Sequence, residues 1–393
     1  MRSFDTRRFD TRQWVTTLGV LIGVVVIAAA LILFAGADPL VGLRGLIEGV
    51  SSSPYRISEV FVGAVPIAII ALTLIPALRA GVFSVGAEGQ VTIGAILATG
   101  SILATRELLG EGTPAPVFWL VGALAGALGG AAWALLPALL AVRWRVNEIL
   151  STLLLNYVAV GILGLTLRTW LASPEDTATP QSERLPEAAA LPTLIPGTRA
   201  HAGILLVIVV AAIFIWWRRT ASSTRLGVFA ARPQLALRLG ATRRRAIYST
   251  MAVSGVGAGV VGWIQVAGVN ERLLGSVSGG VGFSGLAVAL LGALLPTGVV
   301  LAAVFFSALT AGAVGMQSAT GTIPSSIAEV IKGVLLLGVA CIAAVQRTPA
   351  AAVAPSGTPA AADAEAVTGP GAGAAVEAEA GTSAEAERAE EIR

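Results

Sequence analysis

The chain has 393 residues, 55% hydrophobic and 12% charged, with 26 Lys+Arg against 23 Asp+Glu and a net charge of +3. A mean hydropathy of +0.82 is far too high for a water-soluble globule and predicts an all-α polytopic membrane protein. The basic residues sit in loops between apolar runs, which excludes nucleic acid as a partner and makes membrane lipid the expected surroundings.

Residues 1–12, with Arg2, Arg7, Arg8 and Arg12, read as a cytoplasmic N-terminus. The apolar run from Trp14 to Phe34 exceeds the roughly 7–15 residues of a signal-peptide core, so it is taken as an uncleaved first helix. Further runs of membrane length lie at 59–78, 82–104, 115–141, 148–170, 202–217, 246–268, 281–296, 298–316 and 325–345. Together they predict about ten transmembrane helices within a domain of residues 13–345. Alternating them places both termini and the arginine-rich loop 218–245 in the cytoplasm, with sparser arginines outside. The stretch 172–200, punctuated by Pro174, Pro180, Pro186, Pro192 and Pro196, reads as an irregular external segment. Residues 346–393, built from Ala, Glu, Pro, Gly, Thr and Ser, read as a disordered cytoplasmic tail.

Within this frame residues 81–95, GVFSVGAEGQVTIGA, stand out. Glycines and the polar pair Glu88 and Gln90 at membrane depth are tolerated only inside protein or beside a water-filled cavity, so the stretch predicts a broken or re-entrant element. Residues 279–293, GGVGFSGLAVALLGA, echo it faintly. Glu148, Thr152 and Asn156 repeat at four-residue intervals and form one polar helical stripe, with Asn147 and Ser151 beside it. For Asn156 the two readings are pathway lining and interhelical hydrogen bonding; for Glu148, capping or pairing with Arg143 or Arg145. Gln265 is a further polar candidate, and Trp263 reads as an anchor or packing group. In the last run Ser325, Glu329 and Lys332 share a face: Glu329 and Lys332 either neutralise each other or Lys332 meets a polar solute. Gly122, Gly126 and Gly130, and Gly255 and Gly259, are spaced for close helix packing in lipid.

The single histidine, His201, gives a metal site almost nothing to work with. The single cysteine, Cys341, reads as a small hydrophobe. There is no phosphate-binding loop, nucleophile elbow or zinc spacing in the sequence, and no chain of buried acids, so the chain is not expected to be an enzyme or a proton-coupled pump. The loop 225–245 holds a short amphipathic basic element, with Arg225 ahead of it, Pro233 suited to the first turn of a helix, Leu235 and Leu239 apolar, and Gly240 suited to its end. It fits either lipid headgroups or a groove on a cytosolic subunit.

The stretches GVFSVGAEGQVTIGA, VNEILSTLLLNYVA, RLGVFAARPQLALRLGATRRRAIYSTMAVSG and GFSGLAVALLGALLPTGVVLAAVFF resemble, in that order, the permeases of ABC importers of the branched-chain amino acid, ribose and nucleoside superfamily. The nucleoside branch that works with basic-membrane-protein-type lipoproteins and the simple-sugar branch are the most similar. The resemblance covers roughly residues 45–345 and implies a multi-pass subunit of the bacterial plasma (inner) membrane. It also implies a cytoplasmic ABC ATPase that binds ATP-Mg, a second permease subunit, more often a different chain than a copy, and an external solute-binding lipoprotein. Pro233–Gly240 then corresponds to the coupling helix, with Ala230-Ala231-Arg232-Pro233 where the family has a G-x-N-P-like start. The expected function is import of nucleosides, with simple sugars as the alternative; an ion-coupled secondary transporter is the rival from another class.

Overall fold

The computed structural model describes residues 38–174, 179–231, 233–238 and 242–321, with a few isolated positions outside these ranges. Among them there is no strand beyond two isolated bridges, Gln181 with Leu274 and Thr193 with His201. Among the described residues six helices are long and apolar enough to cross a membrane, or seven if a pair bent by 71° counts as one span. The first run at 14–34, the last at 325–345 and the tail lie outside the described residues, so of the ten expected spans only the interior ones are in view.

Helix α1, Pro39–Ser51, opens on Asp38, whose carboxylate accepts from the Leu40 N–H at 2.8 Å, with Pro39 in the first turn where its missing N–H costs nothing. It falls in what the sequence suggested was an outer loop. At 13 residues it is too short to register as a span, and its apolar face is made of Gly42, Gly45 and Gly49, which hydropathy scores weakly. Gly45 and Gly49 let its backbone lie against the helix Pro296–Thr320, where a Cβ at Gly49 would stand 2.8 Å from the Ala311 carbonyl oxygen.

Helix α2, Pro54–Arg79, is the centre of the bundle: every residue from Ala64 to Leu78 is buried. It packs against α6 (Gly203–Trp217), α9 (Arg243–Ile264), α10 (Val281–Leu291) and α11 (Pro296–Thr320). Helices α3 (Ala87–Leu109), α4 (Ala115–Arg143) and α5 (Glu148–Thr166) complete the bundle. The glycine repeats meet as their spacing suggested: Gly122, Gly126 and Gly130 of α4 face Gly255, Gly259 and Trp263 of α9. A Cβ at Gly126 would sit 2.7 Å from the Gly259 carbonyl oxygen, so only glycine permits this approach. Buried Trp263 fills the space at Gly122 and is a packing group.

The run 82–104 is broken as its glycines suggested, helical only from Ala87 after an irregular stretch, and the run 281–296 changes form, since it contains an 11-residue helix, Val281–Leu291. At 1.5 Å per residue α10 covers about 16 Å, roughly half a bilayer core. Val281–Leu291 therefore cannot cross alone. Helix α9 ends in a π-helical turn, Gln265–Asn270, closed by Glu271 in the left-handed conformation.

Candidate functional site

The first break begins where α2 stops. Gly81, at φ +73, closes the helix with its N–H donating to the Leu78 carbonyl at 3.2 Å while the Val82 N–H reaches Ala77 at 2.9 Å, the pairing that a left-handed glycine makes possible. Residues Val82–Gly86 then run without regular structure inside the bundle. Backbone polar groups there need partners from neighbouring helices, and α5 supplies them. Thr152 Oγ1 accepts from the Val85 N–H at 3.2 Å, Asn156 Nδ2 donates to the Val85 carbonyl at 2.9 Å, and Asn156 Oδ1 accepts from the Gly89 N–H at 2.9 Å. Asn156 thus acts as the N-cap of a helix on which it does not lie; Gly86, at the cap position, has no side chain to do it. Thr152 and Asn156 sit four and eight residues beyond Glu148, about 6 and 12 Å up α5, which puts the break well inside the bundle.

The second break is the irregular stretch 271–280 between α9 and α10. Here Glu88, on the first turn of α3, is the partner: Oε1 accepts from the Gly280 N–H and Oε2 from the Gly282 N–H, each at 2.8 Å. The carboxylate is 8% exposed and lies at the positive end of α10, where the helix dipole favours a negative charge. Gly280 takes φ +80, and a Cβ at Gly282 would stand 2.7 Å from Glu88 Cα, so the approach depends on both glycines. Gln265 Nε2 donates to the Val277 carbonyl at 3.3 Å. From the irregular segment between α5 and α6, Ser182 binds Leu273 in both directions at 2.9 and 2.8 Å, and Arg184 pairs with Glu271, which raises the guanidinium pKa through that hydrogen bond and charge. The two glycine-rich stretches that echo each other in sequence are therefore joined in space by one side chain.

Of the other residues singled out from the sequence, Gln90 is buried and its Oε1 faces the Ser254 hydroxyl at 3.5 Å, tying α3 to α9. Asn147 is an exposed N-cap of α5, accepting from Ile149 and Leu150. Glu148 pairs with Arg243 at 3.6 Å and not with Arg143 or Arg145 as expected: Arg145 occupies a tight turn at φ 54 and both are exposed, whereas Arg243 at the start of α9 faces the head of α5. Lys332, Ser325, Glu329, Leu239, Gly240 and Cys341 lie outside the described residues.

The arginine-rich loop contains two helices where one was anticipated: α7, Ala221–Ala231, carries Arg225, and α8, Pro233–Arg238, begins at Pro233 and leaves Leu235 exposed. Hydropathy along α7 is low, so it left no span signal, yet Leu226 and Phe229 pack on Ala77, Ala80 and Val82 together with Ile247 and Met251. Helix α7 therefore rests on the mouth of the first break. Sequence reasoning also missed a cavity of about 380 Å³ lined from α2, the π-turn, α11 and Arg199. Glu59 and Arg199, far apart in sequence, form a 3.6 Å ion pair on its wall. Among the described residues there is no cluster of three or more metal-ligating side chains.

A family model described as branched-chain amino acid transport system / permease component matches residues 56–340. A glucose ABC transporter permease protein of Haloferax volcanii is 30% identical over 334 residues, covering 81% of this chain and 85% of its own length. A guanosine ABC transporter permease protein of Bacillus subtilis is 27% identical, with 83% and 92% covered. A nucleoside ABC transporter permease protein of Lactococcus lactis is 25% identical, with 84% and 91% covered. No solved structure matches the chain.

Proposed function

The chain belongs to the branched-chain amino acid transport system permease component family, and from that premise we propose that it is the membrane subunit of an ATP-driven importer for nucleosides, with simple sugars as the second reading. It is a multi-pass membrane protein. In this reading ATP is bound and hydrolysed by a separate ABC ATPase, an external binding protein delivers the solute, and a second permease, more readily a different chain than a copy, completes the channel. Both termini and the loop 218–245 face the cytoplasm, 172–200 faces outward, and the ATPase grips the loop through Arg225, Pro233, Leu235, Leu239 and Gly240.

The observation that supports this most is the seating of α7 against Ala77, Ala80 and Val82. A force applied to the loop reaches the first break through apolar contact, and the break is bonded onward to α5 and α10. Glu88, Thr152 and Asn156 then position the backbone of the pathway, and Gln90, Gln265, Asn147 and Lys332 are assigned to the pathway or its ends. ATP moves the equilibrium only if the ATPase binds the outward- and inward-open arrangements with different affinity. The guanosine and nucleoside relatives support the nucleoside reading, and the 30% identity to a glucose permease is what favours sugar as the second.

The test is reconstitution of this chain with its cognate ATPase, second permease and lipoprotein. ATP-dependent accumulation of labelled guanosine, competed by other nucleosides and not by glucose, is the expected result. Glucose accumulation instead would establish the second reading, and ion-driven uptake by the chain alone would overturn both.

A further inference from the structure

Where α2 ends against the bend between α6 and α7, two guanidinium groups meet. Arg79, the last residue of α2, is partly buried, and the charge that acts on it is that of Arg218 in the bend. Like charges repel, and partial burial weakens the screening that would relieve them. Glu148, at the head of α5, is held by Arg243 at 3.6 Å. Neither Arg79 nor Arg218 forms an ion pair among the described residues.

Helix α7 brings a third group. Ser223, Gly227 and Ala230 fall at i, i+4 and i+7 and share one face. The last two locate that face: a Cβ at Gly227 would stand 3.8 Å from Arg79 Nη2, and one at Gly81 would stand 3.7 Å from Ala230 Cβ. Ser223 lies on the same face one turn nearer the bend, between Gly227 and Arg218. Its side chain is fully buried, and its Oγ has no hydrogen-bond partner among the described residues. The back-bond to the preceding turn that satisfies Thr73, Thr92 and Thr250 in their helices is not made here, because the carbonyl four residues back belongs to the bend. The 71° bend also leaves the start of α7 open: Thr224 is the first residue whose N–H finds a helical carbonyl, that of Thr220.

Two guanidinium groups, a buried hydroxyl without a partner and the free N–H groups of a helix start all favour an anion with several oxygens, and a guanidinium fork matches phosphate in particular. Trp216 and Trp217 directly precede the bend, and Trp216 is exposed. Indoles in this position mark the depth of lipid headgroups.

We infer that Arg79, Arg218, Ser223 and the first turn of α7 form a binding site for a phosphate group, supplied by the headgroup of an anionic phospholipid. An occupied site ties α7 to the end of α2 by charge, beside the apolar seat of Leu226 and Phe229 on Ala77 and Ala80. It depends on neither an ATPase nor a transported solute.

The experiment takes the full chain in neutral detergent, stripped of lipid, and reads retained lipid by native mass spectrometry with phosphatidylglycerol and phosphatidylcholine offered in equal amounts. Preference for phosphatidylglycerol by about tenfold is expected, since the choline cation of the other lipid meets the guanidinium groups. Ser223→Ala removes a buried, unpaired hydroxyl, so folding is kept while the preference falls several-fold. Arg79→Lys keeps the charge and loses the fork, and lowers the preference likewise; attraction by net charge alone would be unmoved. Inorganic phosphate at millimolar concentration forms the second arm. Lipid that stays bound upholds the headgroup as the source, and lipid that is displaced keeps the site while overturning the headgroup in favour of free phosphate. Equal retention of the two lipids by the wild-type chain, or an undiminished preference in well-folded Ser223→Ala and Arg79→Lys, overturns the site.

Discussion

The two breaks solve the same problem with different chemistry. At the first, Val82–Gly86, the free backbone groups are met by neutral side chains, Thr152 and Asn156, both on α5. At the second, 271–280, the start of α10 is met by a charge, Glu88, which itself stands on the helix that follows the first break. The second break is thus anchored to the first, and the first to α5. A neutral cap can be given up and remade at modest cost, whereas a carboxylate 8% exposed has no acceptable state without its donors. The comparison predicts that the second break costs more to disrupt than the first.

Replacing Glu88 is the most severe way to break that relation. Glu88→Leu leaves the Gly280 and Gly282 N–H groups without acceptors inside the bundle and removes the charge facing the α10 terminus. The expected loss is about 4 kcal/mol, from ~1–3 kcal/mol for each unmet donor. It reads out as a large fall in the thermal midpoint of the detergent-solubilised protein and loss of uptake. Glu88→Gln keeps one acceptor and places an NH₂ against the other donor, so it falls between the two. A Glu88→Leu protein as stable as the wild type would mean that α10 does not depend on the first break.

Asn156→Leu comes next, at about 2–3 kcal/mol, because two bonds at the first break are lost and the Gly89 N–H is stranded. Gly89 follows Glu88 directly, so the two variants share a network. The double variant is expected to be less destabilised than the sum of the singles by about 1 kcal/mol, and strict additivity would show two independent breaks.

The polar members of this site were legible because polar side chains in apolar runs must find partners: Glu88, Gln90, Thr152 and Asn156 all proved buried. The glycine repeats of α4 and α9 were legible for the reason that spacing alone sets which face a helix offers. What each polar group would bind was not. Nothing local tells that Asn156 bonds across 67 residues to Gly89 and not to a solute, or that Glu148 faces Arg243. Helices α1 and α7 were missed because glycine and serine carry little hydropathy, although both make tight contacts. The short α10 was overestimated because apolar residues continue past its end at Leu291 into the turn before Pro296.

Phe229→Ala sharpens the comparison from the side of the first break. The ring lies on the cluster that holds Ala77, Ala80 and Val82 together with Ile247 and Met251 of α9, and it makes none of the hydrogen bonds at either break. Stability is expected to fall by only about 1–2 kcal/mol, since the ring is only half-buried. ATP hydrolysis by the assembled transporter persists, while solute moved per ATP drops several-fold. Equal losses in hydrolysis and uptake would place Phe229 in assembly and not in transmission.

The smallest effect concerns the covering of the π-turn that leads into the second break. His201 is buried, accepts from the Gly203 N–H through Nδ1 at 3.1 Å, and has an Nε2 with no partner among the described residues. Burial, and then the nearby Arg199, lowers its pKa from 6.5 to about 4. The folded state therefore holds the ring neutral while the unfolded chain protonates it, so the unfolded state binds more protons between pH 6.5 and 4. The contribution of His201 to stability is complete above pH 6.5, declines as pH falls through that window, and changes no further below about 4. His201→Asn keeps an acceptor for Gly203 and cannot titrate. The midpoint difference between wild type and variant is expected to be constant above pH 6.5 and to shift against the wild type from there to pH 4, while shared carboxylate titration cancels. A difference that stays flat across the window would mean that the imidazole reaches water, and with it that Arg199 and the segment around it do not seal this end of the π-turn.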